Sequence, residues 1–187
     1  MDAEDLMEKL FAYGHKIIHL PTLKISIVET ELVNSDNFDA FIFTSTNAVR
    51  NLKLTSSNRN LHCFCVGSIT EKIARQSGFV NTSSAGGTVN ALKNLIMISD
   101  KVNKNSNLAY FCGDNISYDL DLELGKEGLK IKKIINYTSE VINDLNNENK
   151  KLIEIYPPDL IYIYSARSAK SFISIVKNYG LNPLVTQ

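Results

Sequence analysis

Short apolar runs alternate with helical patterns along the whole chain, and this alternation predicts an α/β fold. The runs that predict strands are KIIHL (16–20), DAFIF (39–43), HCFCV (62–66), LAYF (108–111), KIKKII (130–135) and LIYIY (160–164). Most of them are apolar almost throughout, as expected of strands that are buried on both faces. The pattern therefore indicates a parallel sheet with right-handed crossovers through helices.

Apolar residues at helical spacing fill the intervals between the predicted strands. The stripes consist of Leu6, Leu10 and Tyr13, then Ile69 and Ile73, then Leu120 and Leu124, then Phe172, Ile175, Val176 and Tyr179. Glycines that suit helix C-terminal caps follow these stripes at Gly14, Gly78, Gly128 and Gly180. Ser68 and Glu71 have the spacing of a capping box at a helix start, which predicts that Ile69 and Ile73 face inward.

Two strand-to-helix units share one plan. FIFTSTNAV (41–49) and IYIYSARSA (161–169) each run from an apolar strand into a serine and then a small-residue helix start, with Ser45 and Ser165 in equivalent places. Either two such units are similar by chance, or the chain contains parts of two similar α/β domains.

Two extended segments without helical period are candidates for an interdomain connection. They are KISIVE (24–29) and INYTSEV (135–141). This interpretation predicts an inserted domain over 30–134, inside a split domain built from 1–23 and 142–187.

Composition narrows the class of partner. The chain has 187 residues, of which 44% are hydrophobic and 21% charged, and its 20 Lys and Arg balance its 20 Asp and Glu. Proteins that bind nucleic acid or anionic membranes normally carry a basic excess, so neither partner is expected. No apolar run approaches the ~20 residues that span a bilayer. The acidic N-terminus lacks the pattern of a signal peptide, and we expect a cytoplasmic protein.

Familiar catalytic and metal-binding motifs are missing from the sequence. It has no GxxxxGK[ST], no GxGxxG after a strand and no GxSxG. Its three cysteines include Cys63 and Cys65, which would share one strand face, but no second ligand pair completes a metal site. We expect buried reduced thiols and no metal.

Small residues follow several predicted strands and indicate a site that could bind anions. The turns are Thr44-Ser45, Gly67-Ser68, Gly113-Asp114, Ser165-Ala166 and a loop with Gly86 and Gly87, in which Thr88 can cap the next helix. Ligands of open α/β sheets gather at the carboxyl ends of strands, where helix N-termini favour negative charge. Such residues are also ordinary turn and capping chemistry, so each turn alone has two interpretations.

In their order, these motifs resemble the uroporphyrinogen-III synthase family. The matching strings are GHKIIHLP, FIFTSTNAVRNL, CVGSITEKIARQSGF, AGGTVNALKNL, YFCGDN, IINYTSE and LIYIYSARSAKSF. The resemblance implies two flavodoxin-like lobes joined by a two-stranded linker. It also implies a monomeric lyase without a cofactor, which cyclises the linear tetrapyrrole hydroxymethylbilane in haem biosynthesis. That reaction inverts the terminal pyrrole ring and releases water.

The resemblance also implies site residues. Tyr137 matches the family tyrosine that assists departure of the substrate hydroxyl; without the resemblance it reads as an amphipathic linker residue. The candidate substrate-binding residues are Thr44, Ser45, Asn47, Gly67, Ser68, Thr70, Gly86, Gly87, Gly113, Ser165 and Ala166. Arg50 and Arg167 either pair with substrate carboxylates or are solvated charges on helix faces.

The sequence departs from the family pattern at both ends. The opening strand and the last βα units of the family are not recognised, so we expect an incomplete first lobe and an activity that is impaired by truncation. The alternatives are a non-catalytic α/β module that binds anions, an inactive remnant, and an enzyme acting on sugar phosphates or nucleotides. The missing phosphate motifs argue against the last of these.

Overall fold

The described part of the chain forms strands and helices in alternation. The computed structural model describes residues 3–30, 37–53, 55 and 57–181, with side chains from residue 6 onward. The strands are β1 (Leu23–Ile27), β2 (Ala40–Phe43), β3 (His62–Cys65), β4 (Thr82–Ser84), β5 (Asn107–Gly113) and β6 (Lys130–Val141). The helices are α1 (Ala3–Ala12), α2 (Thr46–Arg50), α3 (Ser68–Gln76), α4 (Val89–Ile98), α5 (Leu120–Lys126), α6 (Asn147–Ile155) and α7 (Ala166–Asn178).

The strands form one sheet in the order β1-β6-β5-β2-β3-β4. Every pairing from β6 through to β4 is parallel. In contrast, backbone hydrogen bonds from Ile142 N to Thr22 O (3.0 Å) and from Val28 N to Asn136 O (3.1 Å) run antiparallel. They lie at the two ends of the β1–β6 pair. The predicted α/β class and parallel sheet are confirmed.

Helices cover both faces of the central strands β2, β3 and β5, and this accounts for the apolar sequences of these three strands. Phe41 and Phe43 of β2 and Phe111 of β5 pack on one face with Val49 of α2 and Ala74 of α3. The phenyl rings of Phe43 and Phe111 stack at a centroid distance of 5.5 Å. The opposite face buries Ile42, Phe64 and Tyr110 beneath Leu92, Ile96, Leu120 and Leu124 of α4 and α5. Strands buried on both faces lose the alternation of apolar and polar residues.

The chain divides into two units. A split unit consists of Met1–Ile25 and Ser139–Gln187, and an inserted unit consists of Ser26–Thr138. Both boundaries fall inside the extended segments that we interpret as the linker, and β1 and β6 are the strands that contain them. The predicted domain bounds at 30 and 187 lie next to or among residues outside the described part. That the units are independently folding lobes stays a prediction.

Two predicted strands are wrong, and both belong to the split unit. KIIHL (16–20) and LIYIY (160–164) form no strand. A strand exists through backbone hydrogen bonds to a neighbour, and neither segment has a sheet partner among the described residues. Tyr162 is 60% exposed, and Leu160 is 78% exposed. Among the described residues of this unit, Leu145, Ile153 and Ile175 form a buried cluster.

The helix ends agree with the glycine pattern but not with the predicted capping box. Gly14, Gly78, Gly128 and Gly180 all adopt positive φ angles, between 68° and 103°. The N-cap of α3 is Gly67, not Ser68, and no side chain caps it. The buried residues of α3 are Thr70 and Ala74, whereas Ile69 and Ile73 are half-buried. The close approach of α3 to the sheet therefore uses small side chains.

Candidate active site

The strand order creates a crevice position between β2 and β5. From β2 the chain moves outward through β3 and β4, then returns to β5 and continues outward to β6 on the other side. Helices that follow β2 and β5 therefore diverge, since α2 packs on one face of the sheet and α5 on the other. In open α/β sheets, ligands bind beyond the carboxyl ends of the strands at such a reversal.

The turns after β3 and β4 meet at this carboxyl edge. A Cβ atom added to Gly67 would lie 3.3 Å from the Cα atom of Gly87, so the two backbones are nearly in contact. Gly87 N donates to Val66 O at 2.9 Å, and Gly87 has a φ of +90°, which favours glycine. Gly86 beside it is exposed. The structure thus brings the predicted residues Gly67, Gly86 and Gly87 together.

Hydroxyl residues lie at the starts of α2, α3 and α4, the helices that follow β2, β3 and β4. Ser45 is the N-cap of α2, and its Oγ accepts a hydrogen bond from Asn47 N at 3.2 Å. Thr88 caps α4 in the same way, as predicted, through Ala91 N at 3.1 Å. Ser68 is the exposed first residue of α3, while Thr70 lies on its buried face.

A β-bulge positions Tyr137. Cys112 pairs with Ile135, but Gly113 pairs with Tyr137, so Asn136 is an extra residue in β6. In a regular strand Tyr137 would share a face with Ile135; instead it packs with Ile134 against the cluster beneath α2 and α3. A Cβ atom on Gly113 would lie 2.7 Å from Cε2 and Cζ of the Tyr137 ring. Gly113 therefore provides the space that the phenol ring occupies.

A second tyrosine at this edge was not predicted from the sequence. The hydroxyl of Tyr110 lies 3.1 Å from Thr44 Oγ1, and Tyr110 is almost fully buried. Burial raises the pKa of Tyr110 to about 12, so this phenol remains neutral. The only signal in the sequence is one polar atom within the apolar strand LAYF. Tyr110 positions Thr44 at the end of β2.

The two predicted residues of the split unit begin α7. Ser165 is its N-cap and accepts from Ser168 N at 3.0 Å, and Ala166 is its first residue. Ser165 and Ser45 are both helix N-caps with extended backbone angles, while the repeat itself stays a prediction because LIYIY forms no strand. How these two residues relate to those of the inserted unit stays a prediction.

The two arginines near the turns differ in environment. The guanidinium of Arg167 donates to the hydroxyl and the carbonyl oxygen of Ser139. It therefore links α7 to β6, and neither of the two interpretations of Arg167 described this contact. Arg50 is the last residue of α2 and is exposed.

The cysteines and histidines of the described residues form no metal site. No group of three or more His, Cys, Asp or Glu residues in this part of the chain could hold an ion. Cys63, Cys65 and Cys112 are buried free thiols, as predicted, and burial raises the pKa of each. His62 contacts Ser83 Oγ through Nε2 at 3.0 Å, and burial lowers the pKa of the His62 imidazole.

The described helices include none with the length and apolar character needed to span a membrane.

Together these features define an α/β protein. At the carboxyl edge of the parallel sheet in its inserted unit lie glycine-containing turns, hydroxyl residues at helix starts and the ring of Tyr137. A family profile described as uroporphyrinogen-III synthase HemD matches residues 4–186. The chain therefore belongs to the uroporphyrinogen-III synthase family, whose members are cyclising lyases of haem biosynthesis.

Solved structures support the same fold. The uroporphyrinogen-III synthetase of Helicobacter pylori is similar with a TM-score of 0.59 and 20% identity, over 82% of this chain and 70% of that one. A mutant uroporphyrinogen III synthase of the extremely thermophilic bacterium Thermus thermophilus gives a TM-score of 0.54 and 13% identity, over 93% and 72%. No curated protein sequence matches the chain.

Proposed function

We propose that this chain cyclises hydroxymethylbilane to uroporphyrinogen III with Tyr137 beside the reacting carbon. The family assignment carries the reaction class, and the resemblance of INYTSE to the family motif carries the choice of Tyr137. The position of Tyr137 against Gly113, at the carboxyl edge of the sheet, supports that choice. The non-catalytic alternative is not favoured by this assignment. The further expectations of a cytoplasmic monomer are part of the proposal and rest on the family resemblance; light scattering of the purified chain tests the second of them.

Tyr137 has the chemistry that the first step needs. The terminal hydroxyl of hydroxymethylbilane must leave as water, which requires one proton at the departing oxygen. A phenol can donate a hydrogen bond to that oxygen and favour its departure. The product of this step is an azafulvene, an electrophile at the former hydroxymethyl carbon. Loss of water leaves the oxidation level of the ring system unchanged, so the step balances without a redox partner.

Ring closure then depends on geometry rather than on a strong base. The terminal pyrrole ring attacks the azafulvene carbon through its own already substituted ring carbon, which gives a spiro intermediate. This intermediate then rearranges to the closed macrocycle, in which the terminal ring is inverted. Unassisted closure gives the uninverted type I isomer. The enzyme must therefore hold the terminal pyrrole ring and the azafulvene in the orientation that leads to the inverted product. Orientation of bound reactants is a large source of rate enhancement.

The turns are suited to the acidic side chains of this substrate. Carboxylates are favoured by exposed backbone N–H groups at helix starts. The nine-residue α3 and the ten-residue α4 begin at the neighbouring turns that contain Gly67 and Gly87. We assign carboxylate binding to these turns and to Thr44, Ser45 and Asn47 between β2 and the start of α2. Ser165 and Ala166 at the start of α7 are proposed as carboxylate-binding residues of the split unit in their own right.

Isomer analysis of a Tyr137→Phe variant tests the proposal. The variant should form type III product about 100-fold more slowly, because the phenol hydroxyl is lost while its ring is kept. Type I product from spontaneous closure should accumulate instead. The measurement is chromatographic separation of the two uroporphyrin isomers after oxidation.

Tyr118→Phe is the matched control. Tyr118 is also half-buried, but it packs against the opposite core cluster beneath α4 and α5. It should keep the full rate. A Tyr137→Phe variant as fast as the unmodified chain would remove Tyr137 from the mechanism. An unmodified chain that yields only type I product at the spontaneous rate would contradict the whole proposal.

A further inference from the structure

The bulge in β6 places a polar side chain inside the inserted unit. Asn136 is the extra residue between the Cys112–Ile135 and Gly113–Tyr137 pairs, and its side chain is fully buried. Its backbone oxygen accepts from Val28 N at 3.1 Å, which ties the bulge to the adjoining segment. A bulge redirects the side chains that follow it, so the bulge at Asn136 determines the face of β6 on which Tyr137 lies.

The side chain of Asn136 binds the end of a short helix. Its Nδ2 donates to Ala48 O of α2 at 2.7 Å. In a continued helix Leu52 N would bond to Ala48 O, but it bonds to Val49 O at 3.1 Å instead. Asn136 thus satisfies a carbonyl that the helix end leaves open. The amide orientation follows from this contact, because the reverse orientation would oppose two acceptors.

The other half of this amide is unfavourable for stability. Asn136 Oδ1 is buried and has no hydrogen-bond partner. A buried acceptor without a donor loses its hydration and gains nothing in return. An apolar side chain of similar volume would fill the space without that penalty. The asparagine is therefore better explained by its geometric effect on its neighbours than by packing.

We propose that Asn136 is a positioning residue, whose bond to Ala48 O fixes the bulge and thereby holds the Tyr137 phenol over Gly113 in the reactive orientation. The inference rests on the proposed function of Tyr137. Asn136 is adjacent to Tyr137 in the chain, and the helix that it grips begins at the candidate residue Ser45.

A double-mutant cycle tests this inference. Asn136→Ala should lower kcat for type III product by about tenfold or more, since small misplacements of a reacting group are costly, and should leave KM nearly unchanged. Added to Tyr137→Phe, it should cause no further loss, because its effect passes through the missing hydroxyl. Losses that multiply in the double variant, or a change confined to KM, would overturn the inference.

A matched substitution separates positioning from general destabilisation. Asn58 is a fully buried asparagine of the same unit, in a short 3-10 helix (Asn58–Asn60) that precedes β3. Asn58→Ala should keep kcat at equal folded fraction, as measured by circular dichroism. An equal fall in kcat for both variants would overturn the inference. If Asn136→Ala does not fold, Asn136→Ser replaces it in the cycle.

Nuclear magnetic resonance of ring-labelled tyrosine distinguishes this inference from the proposed function. The Tyr137 signal is the one that disappears in Tyr137→Phe. It should shift in Asn136→Ala and not in Asn58→Ala, and an unmoved signal would overturn the inference alone. A shifted signal together with a fully active Tyr137→Phe variant would instead overturn the role of Tyr137, and with it the catalytic meaning of Asn136.

Discussion

Gly113 illustrates how one missing side chain shapes the candidate site. The turn pattern predicts it as a substrate-binding residue, yet its nearest neighbour is the Tyr137 ring rather than open space. Its φ lies outside the positive range, so its backbone would accept any residue. The requirement for glycine at this position is therefore steric, and it comes from a residue in the neighbouring strand.

Gly113→Ala should displace the Tyr137 ring. The new Cβ would lie 2.7 Å from two ring carbons, closer than real contacts allow. We expect about 1–3 kcal/mol lower stability in denaturant titrations, together with a loss of type III product. Removing the ring as well, in Gly113→Ala with Tyr137→Ala, should abolish the steric part of the cost.

Gly125→Ala provides the control for this substitution. Gly125 lies within α5, and a Cβ atom there meets nothing within 4 Å. Alanine favours helix over glycine by about 1 kcal/mol, so this variant should be as stable as the unmodified chain or more so. Equal stability losses for both glycines would contradict the steric account of Gly113.

At the scale of single residues, the sequence predicts helix caps better than it predicts contacts between side chains of different strands. The glycine caps and the Thr88 cap follow from local preferences and are confirmed. The contact of Gly113 with Tyr137 and the contact of Thr44 with Tyr110 both depend on the register of neighbouring strands. The bulge at Asn136 changes that register, and the local sequence carries no signal for it. Hence Tyr110 and Asn136 were missed.

Glu71 shows how an element can be secured by one carboxylate. The predicted capping box required Glu71 to bond backward to the start of α3. Instead its carboxylate accepts from Thr82 Oγ1 at 2.7 Å and Ser84 Oγ at 2.6 Å in β4, and from Arg75 Nη2 at 2.9 Å. These donors stabilise its charged form better than one backbone N–H would. Glu71 therefore fastens α3 to the three-residue edge strand β4.

Glu71→Gln should weaken this attachment in a pH-dependent way. Hydrogen bonds from Ser84, Thr82 and Arg75 lower the pKa of Glu71 to about 2, from an ordinary value near 4.5. The folded pKa is the lower one, so the stabilisation is complete above about pH 4.5 and is lost as the pH falls toward 2. We expect a loss of about 2 kcal/mol at pH 7 that shrinks in acid. Denaturant titrations at several pH values measure it.

Glu123→Gln is the matched control for Glu71. Glu123 also accepts from cations, Lys126 Nζ at 2.6 Å and Lys93 Nζ at 3.3 Å, but it has no hydroxyl donor, and solvent competes for the exposed Lys126. Its substitution should change stability much less. An effect of the Glu71 variant as small as that of the Glu123 variant would contradict the anchoring role.

At the scale of elements, the sequence predicts correctly the strands that helices cover on both faces. The runs AFIF, HCFC and LAYF are apolar because helices cover both faces, so their pattern reports their final environment. The wrongly predicted LIYIY has the same pattern with much of its surface exposed. Apolar residues with high β-propensity favour a strand, but only a hydrogen-bonded neighbour forms one.

At the scale of the whole molecule, the two units differ in the size of their described cores. The inserted unit buries complete strands between helices on both faces of its sheet. The split unit buries Leu145, Ile153 and Ile175 as its described cluster and exposes apolar residues such as Ile155, Leu160 and Tyr162. Buried apolar area is the main favourable term in folding. The split unit should therefore open at lower free energy than the inserted unit.

Native-state hydrogen exchange measures this difference. Amides of α6 and α7 should exchange at least about tenfold faster than those of α4, because regions with few buried contacts open without global unfolding. The comparison of α6 with α4 is matched, since the two helices have nine and ten residues and differ in the unit that they cover. The N-cap Asn146 of α6 accepts from Asn149 N at 2.7 Å, and Thr88 caps α4 similarly, so capping does not favour either helix. Equal protection of the two helices would mean that the units unfold together and that the small cluster of the split unit does not limit its stability.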